Sequence, residues 1–437
     1  MTSCGRSWGR GEGMIDLADA LALIEQRAEP LPPRRQRLLD ACGRTLAVPV
    51  VADVDSPPWD RAMMDGFALR GDDVAGGGGV VELDVVVDLA AGDVTSLEIR
   101  SGSCARIMTG APIPRGADAI IPVELAIDGT SAAHAGMKVR LRDERFRAGQ
   151  HIARQGAAFR RGETVLTAGT PLTAGAVGLA AEAGATHVVA TPQVCVAILS
   201  TGSELVPPEA VPNFGQTRNS NGPMIAAAVR LLAAEPISLG IAADKPEAIR
   251  AAVAQGLAAD VLVLSGGVSA GDLDLVPEIF RQCGVEKVFH KVRLKPGKPV
   301  YFGVLRRDHV APTLVFGLPG NPASSLVCFD LFTRPAIQML AGLPRDDWHL
   351  PRSRARLTAA TKAAPGRPVY LPCTLVRSAD GLTATPLPWT GSSDLVGLAT
   401  ANGMIALAAD GGRYEPGDEV EVVMTRGPVT NAPAPGR

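Results

Sequence analysis

The sequence predicts a multidomain α/β plus β protein built around a three-layer α/β domain, and three observations lead there. From about Pro192 to Leu343, strand-like runs alternate with helical ones: VCVAILS, PMIAAAVRLLAAE, ISLGIAA, PEAIRAAVAQGLA, VLVLSGG and VPEIFRQCG. Such alternation implies an open, mostly parallel sheet covered by helices on both faces. On either side, residues 51–141 and 351–424 carry short β-branched runs such as VELDVVVDL, AIIPVE and DEVEVVM between Gly and Pro, which reads as two separate β-rich units. Finally, 437 residues exceed what one hydrophobic core holds, and roughly two to four domains are expected.

In chain order, residues 1–13 are polar, Gly-rich and lack an apolar targeting core, so a disordered N-terminus and a cytoplasmic protein are expected. DLADALALIEQ then places apolar residues at helical spacing before the break PLPPRRQ. A helical run within PLTAGAVGLAAEAGA is expected to return and pack on that first helix. The discontinuous segments 14–50 and 142–190 would then form one N-terminal unit, with 51–141 inserted into it. Residues 191–346 form the α/β domain and 347–426 a compact all-β domain. The tail RGPVTNAPAPGR reads as disordered from 427 to 437.

Composition excludes some functions. A formal net charge of −2 gives no overall electrostatic case for nucleic acid, whose affinity comes mainly from phosphate neutralisation. No stretch of about 20 uninterrupted apolar residues suggests a membrane span. Seven cysteines and six histidines are scattered singly, which points to reduced, mostly buried thiols and argues against a zinc site.

Chemistry is expected where parallel strands end, because ligands of open α/β sheets sit at the carboxyl edge. Four such ends carry Ser200-Thr-Gly-Ser-Glu204, Ala242-Ala-Asp244, Ser265-Gly-Gly-Val-Ser-Ala-Gly-Asp-Leu-Asp274 and Leu318-Pro-Gly-Asn-Pro322. Glycines let backbone N–H groups approach an anion, hydroxyls add donors, and Asn321 stands at the start of a helix. Next comes HKVRLKPGKP. Read as an extended strand, it puts Lys291, Arg293 and Lys295 on one face, with Lys298 brought near by the Pro-Gly turn. Acids on one side and lysines on the other suit a phosphorylated ligand bridged by Mg²⁺. Gly267-Val-Ser-Ala-Gly271 also fits the G-x-S-x-G pattern, but about five residues separate Ser269 from the helix at Pro277, which is not the sharp turn a nucleophile elbow needs. No Gly-Lys-Ser/Thr follows the glycines, so a Walker loop is excluded.

SGGVSAGDLD, KPGKP and FGLPGNPAS, in that order, resemble the molybdopterin-binding domain of molybdopterin molybdenumtransferases, the MoeA and gephyrin C-terminal family. PPWDRAMMDGFALR, RIMTGAPIPRGADAIIPVE, TGSELV and RNSNGPMI are similar to further family segments, so the likeness runs from about Met14 to Met424. It implies an elongated N-terminal domain, an inserted β domain, an α/β molybdopterin-binding domain and a C-terminal β barrel. It also implies a homodimer with the active cleft between subunits. The implied reaction inserts molybdate into adenylylated molybdopterin and releases AMP. By resemblance, the catalytic residues are Asp65, Asp244, Asp274, Lys291 and Lys295, with Asp65 reaching the cleft from the partner chain. Thr109, Ser265, Gly266, Gly267, Ser269, Lys298, Pro319, Gly320 and Asn321 would bind the cofactor precursor, and Glu204, Asp244 and Asp274 would hold Mg²⁺. A molybdopterin adenylyltransferase and acceptor molybdoenzymes are the implied partners.

The chain departs from the family pattern in places. Ala157 and Ala158 follow Arg154-Gln-Gly156 where an acidic pair is common. Ser203 replaces a frequent Asp, while Trp59 and Met63 stand where smaller or different residues are usual. These positions bear on metal binding and metal preference. Competing readings are a molybdopterin adenylyltransferase, a non-catalytic cofactor carrier or scaffold, and, last, a hydrolase acting through Ser269.

Overall fold

The computed structural model describes residues 14–75, 79–268, 275–308, 310–363 and 365–430. At its centre lies a six-stranded sheet in the order Glu235–Ala242, Cys195–Thr201, Val261–Ser265, Val310–Leu318, Tyr301–Arg307, Glu286–His290. The first four strands run parallel, and Tyr301–Arg307 is antiparallel to both its neighbours. In the inner strands successive residues divide between two cores. Val196, Ile198, Val261 and Val263 face one, and Ala197, Leu199, Leu262 and Leu264 the other. Burial on both faces is why VLVLS shows no polar alternation. Helices Asn221–Arg230, Pro322–Cys328 and Arg334–Leu340 cover the first face, and Pro246–Gly256 and Val276–Gln282 the second. Four of these helices have Pro in the first turn, and in the three that start from a loop the missing N–H would have had no helical partner. Pro322–Cys328 runs through a π-helical turn, Phe329–Thr333, into Arg334–Leu340.

The opening helix, Leu17–Glu25, buries Ala20 and Ile24 in the first of these cores. Ion pairs fix its surroundings, Asp16 with Arg293 and Glu25 with Arg345. This differs from the expectation that the returning helix packs on it. That helix, Ala174–Glu182, buries Ala176 and Ala180 against Leu38, Leu46 and Val50 instead. Helical spacing specifies that a face is buried but not against what.

Between these parts the outgoing and returning chain form three short antiparallel pairs. Arg34–Arg37 pairs with His187–Ala190, Val50–Val51 with Thr164–Leu166, and Arg61–Ala62 with Ile152–Ala153. Beyond the last pair sits a five-stranded sheet in the order Ala119–Pro122, Gly66–Leu69, Ser103–Ile107, Val80–Leu89, Lys138–Arg142. Gly66 allows the tight pairing there, since a Cβ would stand 2.2 Å from the Ile121 carbonyl oxygen.

The C-terminal region is a closed barrel of Arg352–Leu357, Gly381–Pro386, Val369–Ser378, Gly403–Leu407 and Glu419–Met424. It is seated on the central domain by the backbone of Lys295, which donates to Pro368 and accepts from Tyr370. Tyr370, Met404 and Val423 enter the first core. The expectation of a disordered tail from 427 is corrected at Val429, which exchanges backbone hydrogen bonds with Leu375 and Arg377. Residues 1–13 and the tail from 431 lie outside the described residues, as do Ser269, Asp272 and Asp274. Among the described residues, six cysteines are free thiols, and no helix is long and apolar enough to cross a membrane.

Candidate active cleft

All four parallel strands end at one cleft of about 880 Å³. Thr201, Gly202 and Glu204 line it after the first strand, and Asp244 after the edge strand. Ser265, Gly266 and Gly267 contribute from the third, and Pro319, Gly320 and Asn321 from the fourth. Gly266 has φ +100° and stands so close to Thr201 that a Cβ would meet the Thr201 carbonyl oxygen at 2.5 Å. Only glycine is free of strain there. Its neighbour Val268 is held by His290, whose Nε2 lies 2.9 Å from the Val268 carbonyl; a carbonyl accepts, so that nitrogen donates.

Asp244 and Ser203 form a reciprocal pair. The Ser203 N–H donates to Asp244 Oδ2 at 3.0 Å, and the Asp244 N–H to Ser203 Oγ at 3.1 Å. A serine at 203 thus ties two strand-end loops together, as an acceptor an aspartate could also supply but without placing a second charge beside Asp244. Asn321 starts its helix in an extended conformation without a side-chain cap bond. Its Nδ2 instead donates to Ser392 Oγ at 2.9 Å, joining the cleft to the loop of the C-terminal barrel that brings Ser393 and Leu395 to the wall.

The lysines are placed differently from expectation. The strand ends at His290, and Lys291 has φ +78°, so HKVRLK is not one extended strand. Val292 and Leu294 are buried, while Arg293 donates twice to Asp16, at 2.7 and 2.6 Å. The row of like charge is therefore interrupted by an ion pair within the chain, and this pair holds the Asp16 carboxyl below its ordinary range. Lys295 and Lys298 are exposed and Lys291 is half-buried. None of the three lines the cleft directly, although Pro299 does.

Asp65 and Thr109 are brought together, but away from this cleft. The N–H and hydroxyl of Thr109 both donate to Asp65 Oδ1 at 2.7 Å. These bonds, the backbone one first, hold the exposed carboxyl below its ordinary range. Trp59 and Met63 are exposed on the same stretch. Ala157 and Ala158, also exposed, follow Arg154, which pairs with Asp60 at 2.7 Å. Among the described residues, no group of three or more His, Cys, Asp or Glu side chains is arranged to hold a metal; Asp274 is not one of those residues.

Sequence reasoning missed several cleft residues. Arg218, Asn219 and Asn221 line it from a segment quoted only for resemblance, and Thr201 from a strand end in which it was given no role of its own. The rule that placed the other loops at the carboxyl edge covers these too, since the chain must leave the first strand there. Ser393 carried no such signal, because a neighbouring domain's approach leaves no trace in local pattern.

A parallel α/β sheet whose strand ends converge on one polar cleft, with glycine backbone on its floor and carboxylates at its rim, defines a protein that binds an anionic small molecule. Comparison with known proteins is specific. The MoeA N-terminal region (domain I and II) matches residues 15–184, the probable molybdopterin binding domain residues 197–339, and the MoeA C-terminal region (domain IV) residues 354–424. The molybdopterin molybdenumtransferase of Bacillus subtilis is 34% identical over 398 residues, 89% of each chain. Molybdopterin molybdenumtransferase 2 of Mycobacterium tuberculosis is 35% identical over 395 residues, covering 88% of this chain and 93% of the relative. Crystal structures of the molybdopterin biosynthesis MoeA protein of Pyrococcus horikoshii superpose with TM-scores of 0.75 and 0.74 at 27% and 26% identity, covering 95% and 94% of this chain and 100% of each of theirs. The chain belongs to the MoeA family of molybdopterin molybdenumtransferases, enzymes of molybdenum cofactor biosynthesis that insert molybdenum.

Proposed function

We propose that the cleft binds adenylylated molybdopterin, and that molybdate insertion there is coupled to cleavage of the adenylate and release of AMP. The observation that carries this reading is the convergence of Ser265, Gly266, Gly267, Pro319, Gly320 and Asn321 with the carboxylates of Glu204 and Asp244 on one cleft. The glycine backbone and hydroxyls, with Ser269 and Lys298, hold pterin and phosphate. Lys291 and Lys295 counter the charge of the phosphoanhydride and of molybdate as it enters. Glu204 and Asp244, both exposed at the rim, are hard oxygen donors that suit Mg²⁺, with Asp274 as a third. When bound, Mg²⁺ supplies Lewis-acid polarisation of phosphoryl oxygens. Ser203 keeps the Asp244 loop in place for that work.

Asp65 does not line its own chain's cleft, and its carboxylate is already oriented by Thr109. It acts in the cleft of a second copy, so the working unit is a homodimer. A cytoplasmic setting, an adenylyltransferase upstream and a molybdoenzyme downstream complete the reading. Reconstitution of a molybdenum-free acceptor enzyme tests the roles. Asp244→Asn and Lys295→Ala should each lower it by about a hundredfold, with melting temperatures unchanged; a folded variant that reconstitutes normally would show its assigned role to be wrong.

A further inference from the structure

We infer that Asn221 and Thr201 recognise the polar edge of the substrate's heterocycle, an inference that rests on the functional reading above. Five buried side-chain polar atoms have no hydrogen-bond partner among the described residues, on Thr201, Asn221, Ser325, Thr333 and Trp389. Of these residues, only Thr201 and Asn221 line the cleft. Buried polar atoms in folded proteins are nearly always paired, so orphans on a ligand cleft call for a partner from the ligand.

The geometry of Asn221 fixes which atom is left over. This residue begins the helix Asn221–Arg230 and is 8% exposed. Its Nδ2 donates to Ser265 Oγ at 2.6 Å and to the Gly320 carbonyl at 2.7 Å. A carbonyl can only accept, so the amide cannot be turned around, and both Nδ2 protons are in use. The free atom is Oδ1, an acceptor. Phosphate oxygens at neutral pH are acceptors as well, so this part of the wall does not suit a phosphate. It suits an N–H donor. Thr201 is 5% exposed, and its Oγ1 lies against the glycine loop, 2.9 Å from where a Cβ on Gly266 would stand. A hydroxyl can donate or accept, which matches a ring nitrogen, a carbonyl or a further N–H. A heterocycle that carries N–H donors together with ring acceptors meets both atoms, and pterin and adenine each qualify. The phosphates are then left to the glycine backbone and the lysines.

Binding to the full-length protein separates these sources. The probes are molybdopterin, AMP, the monophosphate of purine riboside, which lacks the adenine amine, and inorganic pyrophosphate. Thr201→Val is nearly isosteric and removes a hydroxyl that has no partner among the described residues, so it should fold; Asn221→Ala removes the acceptor. Each should weaken one heterocyclic ligand by about tenfold while leaving pyrophosphate unchanged. A loss confined to molybdopterin assigns the pterin edge. A loss for AMP, together with disappearance of any preference for AMP over the purine riboside monophosphate, assigns the adenine edge. The inference is overturned if Thr201→Val binds every probe as the wild type does, or if both variants lose pyrophosphate as strongly as the heterocycles. Wild-type protein that binds neither molybdopterin nor AMP would instead overturn the functional reading itself.

Discussion

Asp65 is exposed and yet its protonation is set by a neighbour. Two hydrogen bonds from Thr109 favour the carboxylate, so removing the hydroxyl donor should raise its pKa back toward the ordinary value. The sign for activity follows directly. If the carboxylate is the working form, Thr109→Val moves the acid limb of the pH profile of molybdenum insertion to higher pH, and an unmoved limb would detach Asp65 from the reaction. Gly266 presents a different constraint, because its φ of +100° and the 2.5 Å approach to Thr201 leave no room for a methyl group. Gly266→Ala should destabilise the protein by about 2 kcal/mol or more, visible in a denaturant midpoint, and should weaken ligand binding by displacing the loop. The sequence pointed to Gly266 as a position where backbone could approach an anion; its packing against the Thr201 carbonyl was not legible there. It did not identify Asn221, whose role depends on meeting Ser265 and Gly320 from across the cleft.

At the level of elements, local pattern is a good guide wherever both faces of a strand or one stripe of a helix are buried. VLVLS, VCVAILS and the Pro-initiated helices are strands and helices in the structure because the same residues that set their propensity also fill the two cores. Phe316, which packs at 4.9 Å between ring centroids on Phe302, sits in the first of those cores, and Phe316→Ala should cost about 3–5 kcal/mol in denaturant unfolding. Pattern misleads at HKVRLK. Its alternation looks like a strand, but Lys291 turns the chain and Arg293 is claimed by Asp16, far away in sequence. Both partners of that pair are well exposed, so Arg293→Ala should leave the denaturant midpoint close to that of the wild type. It should leave AMP affinity unchanged; a marked loss of affinity would restore the arginine to the ligand site.

For the whole molecule, the order of units along the chain could be read because each has its own period and turn chemistry. How they meet could not. The opening helix packs on the central domain rather than on the returning helix, and the barrel reaches the cleft through Ser392 and Ser393. Such contacts depend on the shape of two finished domains. The proposed homodimer, with clefts shared between subunits, can be tested by complementation. Mixing refolded Asp65→Asn and Asp244→Asn subunits should restore about a quarter of wild-type activity, because random pairing gives half heterodimers, each with one intact cleft; no recovery would place Asp65 and Asp244 in the same subunit's site. In the proposed reaction this cleft couples molybdate insertion to cleavage of the adenylate. The most direct measurement is AMP release from adenylylated molybdopterin with Mg²⁺ present, as molybdate is titrated in. Release that rises with molybdate and is lost in Asp244→Asn is the predicted result. Tight binding of the substrate with no molybdate-dependent AMP would contradict this coupling and leave a cofactor carrier.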